Sequence, residues 1–120
     1  MRAFLAGEAR RFRNTVIWSL DGWRAAWASE KSLRQWTLAN AASAALALIL
    51  DLTAAERAVI LGLGLMVLAA ELANTAIEEI VDRLSPEPAP FAKKAKDCGS
   101  ACVAMAAIAA GVAWLCILIG

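Results

Sequence analysis

Of the chain's 120 residues, 61% are hydrophobic, against about 45 to 50% in soluble globular chains. Twelve basic and 11 acidic residues leave a net charge of +1, which gives nucleic acid no electrostatic footprint to bind. Histidine is absent, and Cys98, Cys102 and Cys116 share one apolar tract, so neither a disulfide framework nor a zinc site is spelled out.

The excess apolarity collects in three charge-poor tracts, 35–50, 58–70 and 98–119. Such a pattern asks for lipid as solvent. It predicts an all-α membrane protein, with three transmembrane helices behind an N-terminal amphipathic surface helix, over about residues 1–30, 31–50, 55–82 and 97–119. Three short helices bury little against one another, so self-association is expected.

Residues 1–34 carry seven Lys and Arg against Glu8, Asp21 and Glu30. Their longest uncharged run, Asn14 to Leu20, does not make a signal-peptide core. Phe12, Val16, Leu20, Trp23 and Trp27 line one helical face, and Arg10, Arg13, Asn14, Asp21 and Arg24 fall largely off it. With tryptophans beside arginines, this helix is expected to lie flat in the headgroup layer. An ordinary amphipathic packing helix is the alternative.

The uncharged stretch from Gln35 to Leu50 spans about 24 Å, and Trp36 with upstream residues completes the roughly 30 Å of a hydrocarbon core. Asp51 to Arg57 forms a polar turn, in which Thr53 and Glu56 have the spacing of a capping box. From Ala58 to Val81 a second span would run about 36 Å. Pro86, Pro88 and Pro90, then Lys93, Lys94 and Lys96, mark 84–97 as a connecting loop. Cys98 to Ile119 is free of charge and long enough to span outright. Alanine supplies 29 residues, among them Ala106, Ala110 and Ala113, spaced so that membrane helices can approach closely. Lys and Arg number seven before the first span, one in the turn and four between 83 and 97. The positive-inside rule therefore places the N-terminus and the Pro/Lys loop in the cytoplasm, and the turn and the C-terminus outside.

The second span holds an anomaly. Glu71, Asn74, Glu78 and Asp82 stand at i, i+3, i+7 and i+11, within about 80° of arc on one face. Glu71 lies about 20 Å from the outer end of the helix, inside the hydrocarbon. A carboxylate there costs about 2.5 to 3.5 kcal/mol on insertion scales and marks a functional position; a buried structural hydrogen bond is the competing reading. Glu79 falls off the stripe and reads as a solvated interfacial residue. Carboxylates with an amide and no histidine form an oxygen donor set of the kind Mg²⁺ favours, and magnesium points to phosphates. No glycine-rich phosphate loop occurs, and Gly62 and Gly64 read as packing residues. Lys96 and Asp97 stand at the expected start of the third span, where a helix N-terminus attracts anions. Asp97 as a plain N-cap is the alternative.

The stretch Glu71-Leu-Ala-Asn74-Thr-Ala-Ile-Glu78-Glu-Ile-Val-Asp82-Arg83, followed by Ala95-Lys96-Asp97, resembles the prokaryotic diacylglycerol kinase family. Gly22-Trp-Arg24-Ala-Ala-Trp27-Ala-Ser-Glu30, with Arg34-Gln35, is similar to that family's N-terminal segment, and the likeness runs from about Arg11 to Ile119. The resemblance implies a homotrimer of three-helix subunits in the bacterial inner membrane. It further implies composite active sites at the cytoplasmic interface, transferring the γ-phosphate of MgATP to a lipid hydroxyl. Glu71 matches the catalytic carboxylate, and Glu30 and Glu78 match the Mg²⁺ ligands. Arg11, Trp18, Glu30, Glu78, Lys96 and Asp97 fall at ATP-binding positions. Arg24, Gln35, Asn74, Asp82 and Ser100 fall at supporting or substrate positions. Two departures stand out: Trp18 takes a place where the family often has tyrosine, and Pro86-Glu-Pro88-Ala-Pro90 replaces a less rigid loop.

Some members of the family phosphorylate undecaprenol. Asp97-Cys-Gly99-Ser100-Ala and the tryptophan-rich first segment look more like the diacylglycerol enzymes, so diacylglycerol is the expected substrate. From other classes, a holin or a small multidrug transporter would also be short, helical and oligomeric, but neither needs Glu30 together with Lys96.

The charge distribution sets a test of orientation. In a background lacking Cys98, Cys102 and Cys116, Ala54→Cys is expected to react with an impermeant thiol reagent in intact cells, and Ala89→Cys only after permeabilisation. The opposite pattern reverses the assigned topology.

Overall fold

The computed structural model describes all residues from Met1 to Gly120. The chain is entirely helical: α1 (Arg2–Ser29), α2 (Lys31–Ile49), α3 (Ala54–Leu84) and α4 (Pro90–Ile119). It divides into two compact units, Met1–Glu30 and Lys31–Gly120.

The first unit is α1 alone. Arg11 pairs with Glu8 at 3.0 Å and Arg24 with Asp21 at 3.5 Å, both one turn apart and exposed, so each adds little stability. Trp23 and Trp27 stack one turn apart, with ring centroids at 6.2 Å. Phe12, Val16, Leu20 and Trp27 on the anticipated apolar face are exposed, as is most of the helix. The helix ends where Glu30 turns extended, at φ −103° and ψ 108°.

In the second unit α3 is the central element, packed against both α2 and α4. Its buried residues are Ile60, Gly64, Val67, Glu71, Asn74 and Val81. Those positions advance by alternating fours and threes, the spacing that keeps one seam facing a partner helix, and Glu78 takes the remaining place. The polar stripe is thus a continuation of the packing seam. Facing it are Leu33 and Ala47 of α2 and Ala92, Gly99 and Val103 of α4. Gly64 permits close approach of α2, since a Cβ there would stand 2.5 Å from Asn40 Oδ1. Trp114 Nε1 donates to Ser43 Oγ at 2.9 Å and ties α4 to α2 directly.

Local chemistry sets the turn between α2 and α3. Thr53 Oγ1 accepts from the Glu56 amide at 3.2 Å and the Glu56 carboxylate accepts from the Thr53 amide at 2.8 Å, closing the expected capping box. Arg57 Nε donates to the Ala47 carbonyl at 2.9 Å, one of those that the end of α2 leaves without an intrahelical partner, and Nη2 donates to the Leu50 carbonyl at 3.4 Å, which also accepts from the Leu52 amide. The single basic residue of this turn therefore caps the preceding helix.

The other connection differs from expectation. The segment 84–97 is not a loop: α4 begins at Pro90, and only Ser85–Ala89 joins it to α3. Proline fits the first helical position because its fixed φ is helical and its missing N–H would lack a partner there. The Ala and Lys residues that follow are good helix formers. Lys96 and Asp97 accordingly lie about two turns inside α4, Ala89 is the N-cap, and both the anion-attracting helix end and the N-cap role for Asp97 are ruled out.

Helices α3 and α4 are each long and apolar enough to cross a membrane, and little of their most apolar stretches is buried. Leu65 and Met66 of α3, with Met105, Ile108, Leu115 and Leu118 of α4, point outward. An apolar surface on this scale requires lipid or further protein around it.

The capping box yields a stability test. Thr53→Ala is expected to cost about 1 kcal/mol, read as a lower unfolding midpoint in detergent. An unchanged midpoint would mean that the turn is held by Arg57 alone.

Candidate functional site

The polar side chains of the second unit form a ladder along α3 and the facing turns of its neighbours. At its deepest point Glu71 is 3% exposed, and its Oε1 accepts a hydrogen bond from Ser32 Oγ in the first turn of α2. One turn on, Asn74 is also buried. Its Nδ2 donates to Glu78 Oε1 at 3.4 Å, while its Oδ1 is buried without a hydrogen-bond partner. That oxygen lies over Gly99, where an added Cβ would collide with it. Glycine at 99 is what allows α4 to close over Asn74.

At the end of the ladder the site opens to solvent. Lys96 Nζ bonds Asp82 Oδ1 at 2.8 Å across the α3–α4 interface, and Lys93 pairs with Asp97 along α4. Both lysines precede the uncharged run that starts at Cys98. The hydrogen bond and charge of Asp82 hold the Lys96 pKa above its ordinary value, and Asp97 does the same for Lys93. Both therefore stay cationic throughout the physiological range. They border a cleft of about 740 Å³ walled by Asp82, Ser85, Pro88, Pro90 and Asp97, large enough for a ligand of nucleotide size.

Within the second unit, the anticipated residues thus gather as Glu71, as Asn74 with Glu78, and as Asp82 with Lys96 and Asp97. Gln35 and Ser100 are exposed on α2 and α4. Arg11, Trp18, Arg24 and Glu30 belong to the first unit. There Arg11 and Arg24 are held in the ion pairs already described, Trp18 is exposed, and Glu30 Oε1 accepts from Ser29 Oγ at 3.0 Å. Glu79 is exposed, as its place off the stripe implies. Two contributors went unseen in the sequence reading. Ser32 is a lone serine with no periodic signal, and Gly99 reads as ordinary until Asn74 is placed against it.

No three carboxylates converge on a metal position. Glu78 offers a carboxylate to a hard cation, while Asn74 turns its amide N–H to Glu78 and its oxygen to Gly99. Mg²⁺ usually takes only one or two protein carboxylates and completes its shell with water and substrate phosphates.

The model of the family described as prokaryotic diacylglycerol kinase matches residues 17–118. The chain is 40% identical over 111 residues to the diacylglycerol kinase of Pseudomonas aeruginosa, covering 92% of this chain and 90% of that protein. It is 38% identical over 102 residues to the diacylglycerol kinase of Escherichia coli K12, covering 85% and 83%. To that of Haemophilus influenzae it is 33% identical over 101 residues, covering 84% and 86%. The chain belongs to the prokaryotic diacylglycerol kinase family. It is an enzyme, a membrane lipid kinase, which sets aside the holin and transporter alternatives.

The Gly99 contact gives a direct test. Gly99→Ala is expected to displace the Asn74 amide and destabilise the fold by about 1 to 3 kcal/mol, the range for overpacking a tight interface, with a loss of kinase activity. Gly62→Ala, where nothing lies within 4 Å of the new methyl, should leave both unchanged. Equal behaviour of the two variants would show that neither the fold nor the activity depends on the close approach at Gly99.

Proposed function

We propose that the enzyme phosphorylates diacylglycerol with ATP, giving phosphatidate at the cytoplasmic face of the bacterial inner membrane. The observation that carries this reading is the buried Glu71, set in the middle of a helix whose other end leads into a cation-bordered cleft. A lipid hydroxyl at headgroup level reaches such a carboxylate from the bilayer side, and a water-soluble phosphoryl donor enters from the other. Relatives named diacylglycerol kinase at 33 to 40% identity support the lipid assignment.

In this reading the lipid hydroxyl oxygen attacks the γ-phosphorus of ATP as the bond to the ADP oxygen breaks, and Glu71 accepts the hydroxyl proton. Glu30 and Glu78 would hold Mg²⁺, and Asn74 and Asp82 would complete the site as supporting polar residues. When bound, the metal supplies charge neutralisation on the phosphates. Lys96, ion-paired to Asp82 in the free enzyme, exchanges that carboxylate for a phosphate oxygen. Asp97 and Arg11 serve the nucleotide, as does Trp18 in the place of the more frequent tyrosine. Arg24, Gln35 and Ser100 take supporting places around the lipid. Phosphoryl transfer needs chiefly positioning and electrostatics, which these side chains provide.

The same reading includes three membrane-spanning helices, α2 to α4, with α1 on the cytoplasmic membrane surface and the C-terminus outside. It also includes a homotrimer. Support comes from the exposed apolar faces of α3 and α4 and from the limited core a chain of this size can build.

The test is purified protein in mixed micelles with ATP, magnesium and either diacylglycerol or undecaprenol. Phosphatidate formation is expected, and turnover only with undecaprenol would move the assignment to the polyprenol kinases. Glu71→Gln should lower kcat by about 10² to 10⁴, the usual contribution of a general base, with little change in the KM for MgATP. Glu78→Gln should instead raise the magnesium requirement, since an amide is a poorer ligand for a hard cation. Near-full turnover of Glu71→Gln at saturating substrate would reduce Glu71 to a structural acid.

A further inference from the structure

The base assignment leaves open what aims Glu71. A glutamate side chain rotates about three bonds, and its terminal torsion is broad. A buried carboxylate with no fixed partner would also bear a large desolvation cost. Ser32 answers both points. It sits half-buried in the first turn of α2, and its hydroxyl donates to Glu71 Oε1 across the α2–α3 interface. An ionised carboxylate only accepts and a serine hydroxyl can donate, so the direction of the bond is fixed by chemistry. The neighbouring Thr75 hydroxyl is turned to the Glu71 backbone carbonyl at 3.0 Å, and Asn74 Nδ2 is turned to Glu78. Neither orients the Glu71 carboxylate.

We propose that Ser32 is a positioning residue for the phosphoryl transfer: by holding Glu71 Oε1 it sets the plane of the carboxylate and presents Oε2 to the lipid hydroxyl. This rests on Glu71 being the base. Ser32 itself touches neither the phosphate nor the lipid in this arrangement. It reaches the acid from α2, so the alignment of the base depends on α2 being docked on α3 and not on α3 alone.

The experiment measures kcat and both KM values in mixed micelles for Ser32→Ala, Ser32→Thr, Ser32→Cys, Glu71→Gln and the double variant Ser32→Ala/Glu71→Gln, with the unfolding midpoint of each. Ser32→Ala is expected to lose roughly tenfold in kcat, the order set by one hydrogen bond to a charged group, with both KM values nearly unchanged and the midpoint lowered, because a buried carboxylate loses its donor. Ser32→Thr keeps the hydroxyl and should recover most of the rate, and Ser32→Cys, a weaker donor, should fall between. In the Glu71→Gln background the alanine substitution should add nothing, because the two residues act as a unit. Unchanged kcat in a folded Ser32→Ala enzyme overturns the proposal, as does an additive double variant. Should Ser32→Ala fail to fold, a Ser32→Thr or Ser32→Cys rate that does not track the donor overturns it equally. Full turnover of Glu71→Gln would instead overturn the base assignment, a result separable from all of these.

Discussion

The constraint on which the rest of this protein depends is that a carboxylate at membrane depth must be enclosed by protein groups that can bond it. Isolated in hydrocarbon it would cost several kcal/mol. Here the enclosure is made by placing Glu71, Asn74 and Glu78 on the seam that also carries Ile60, Gly64, Val67 and Val81. The packing face and the polar face of α3 are the same face. The small residues at the crossings, Gly64 towards α2 and Gly99 towards α4, follow from this, because polar side chains such as Asn40 and Asn74 need room that a Cβ would take.

That overlap explains which features could be read in the sequence. The polar stripe was visible because four polar residues at helical spacing interrupt an apolar run, and the capping box because Thr53 and Glu56 declare it locally. The start of α4 was misread, since three prolines and three lysines look like a loop, whereas Pro90 begins a helix and the lysines continue it. Ser32 and Gly99 could not be read at all. Their significance comes from a partner 39 residues away in one case and from an interhelical distance in the other, and periodicity within one helix records neither.

Extending α4 back to Pro90 also changes the electrostatics of the open end. With Lys93 and Lys96 on consecutive turns of a rigid helix, their charges are held in place against Asp97 and Asp82. A flexible loop would have to order itself around an anionic ligand. This helix starts ordered, so its lysines are already positioned and less conformational entropy is left to lose when they change partners.

The link Ser85–Ala89 has a consequence for how the second unit assembles. Two of its five residues are proline and a third proline follows at once, which narrows the conformations of the unfolded connection. Loop-closure entropy grows with the length of chain enclosed. Lys96 meets Asp82 across 14 residues, Ser32 meets Glu71 across 39, and Trp114 meets Ser43 across 71. By that measure both hairpins close locally, α2–α3 at Arg57 and Ala47 across 10 residues and α3–α4 at Lys96 and Asp82 across 14, and the direct tie between α2 and α4 costs the most. The acid at the centre is enclosed only when both hairpins have formed, since Ser32 reaches it from α2 and α4 closes over its neighbour Asn74.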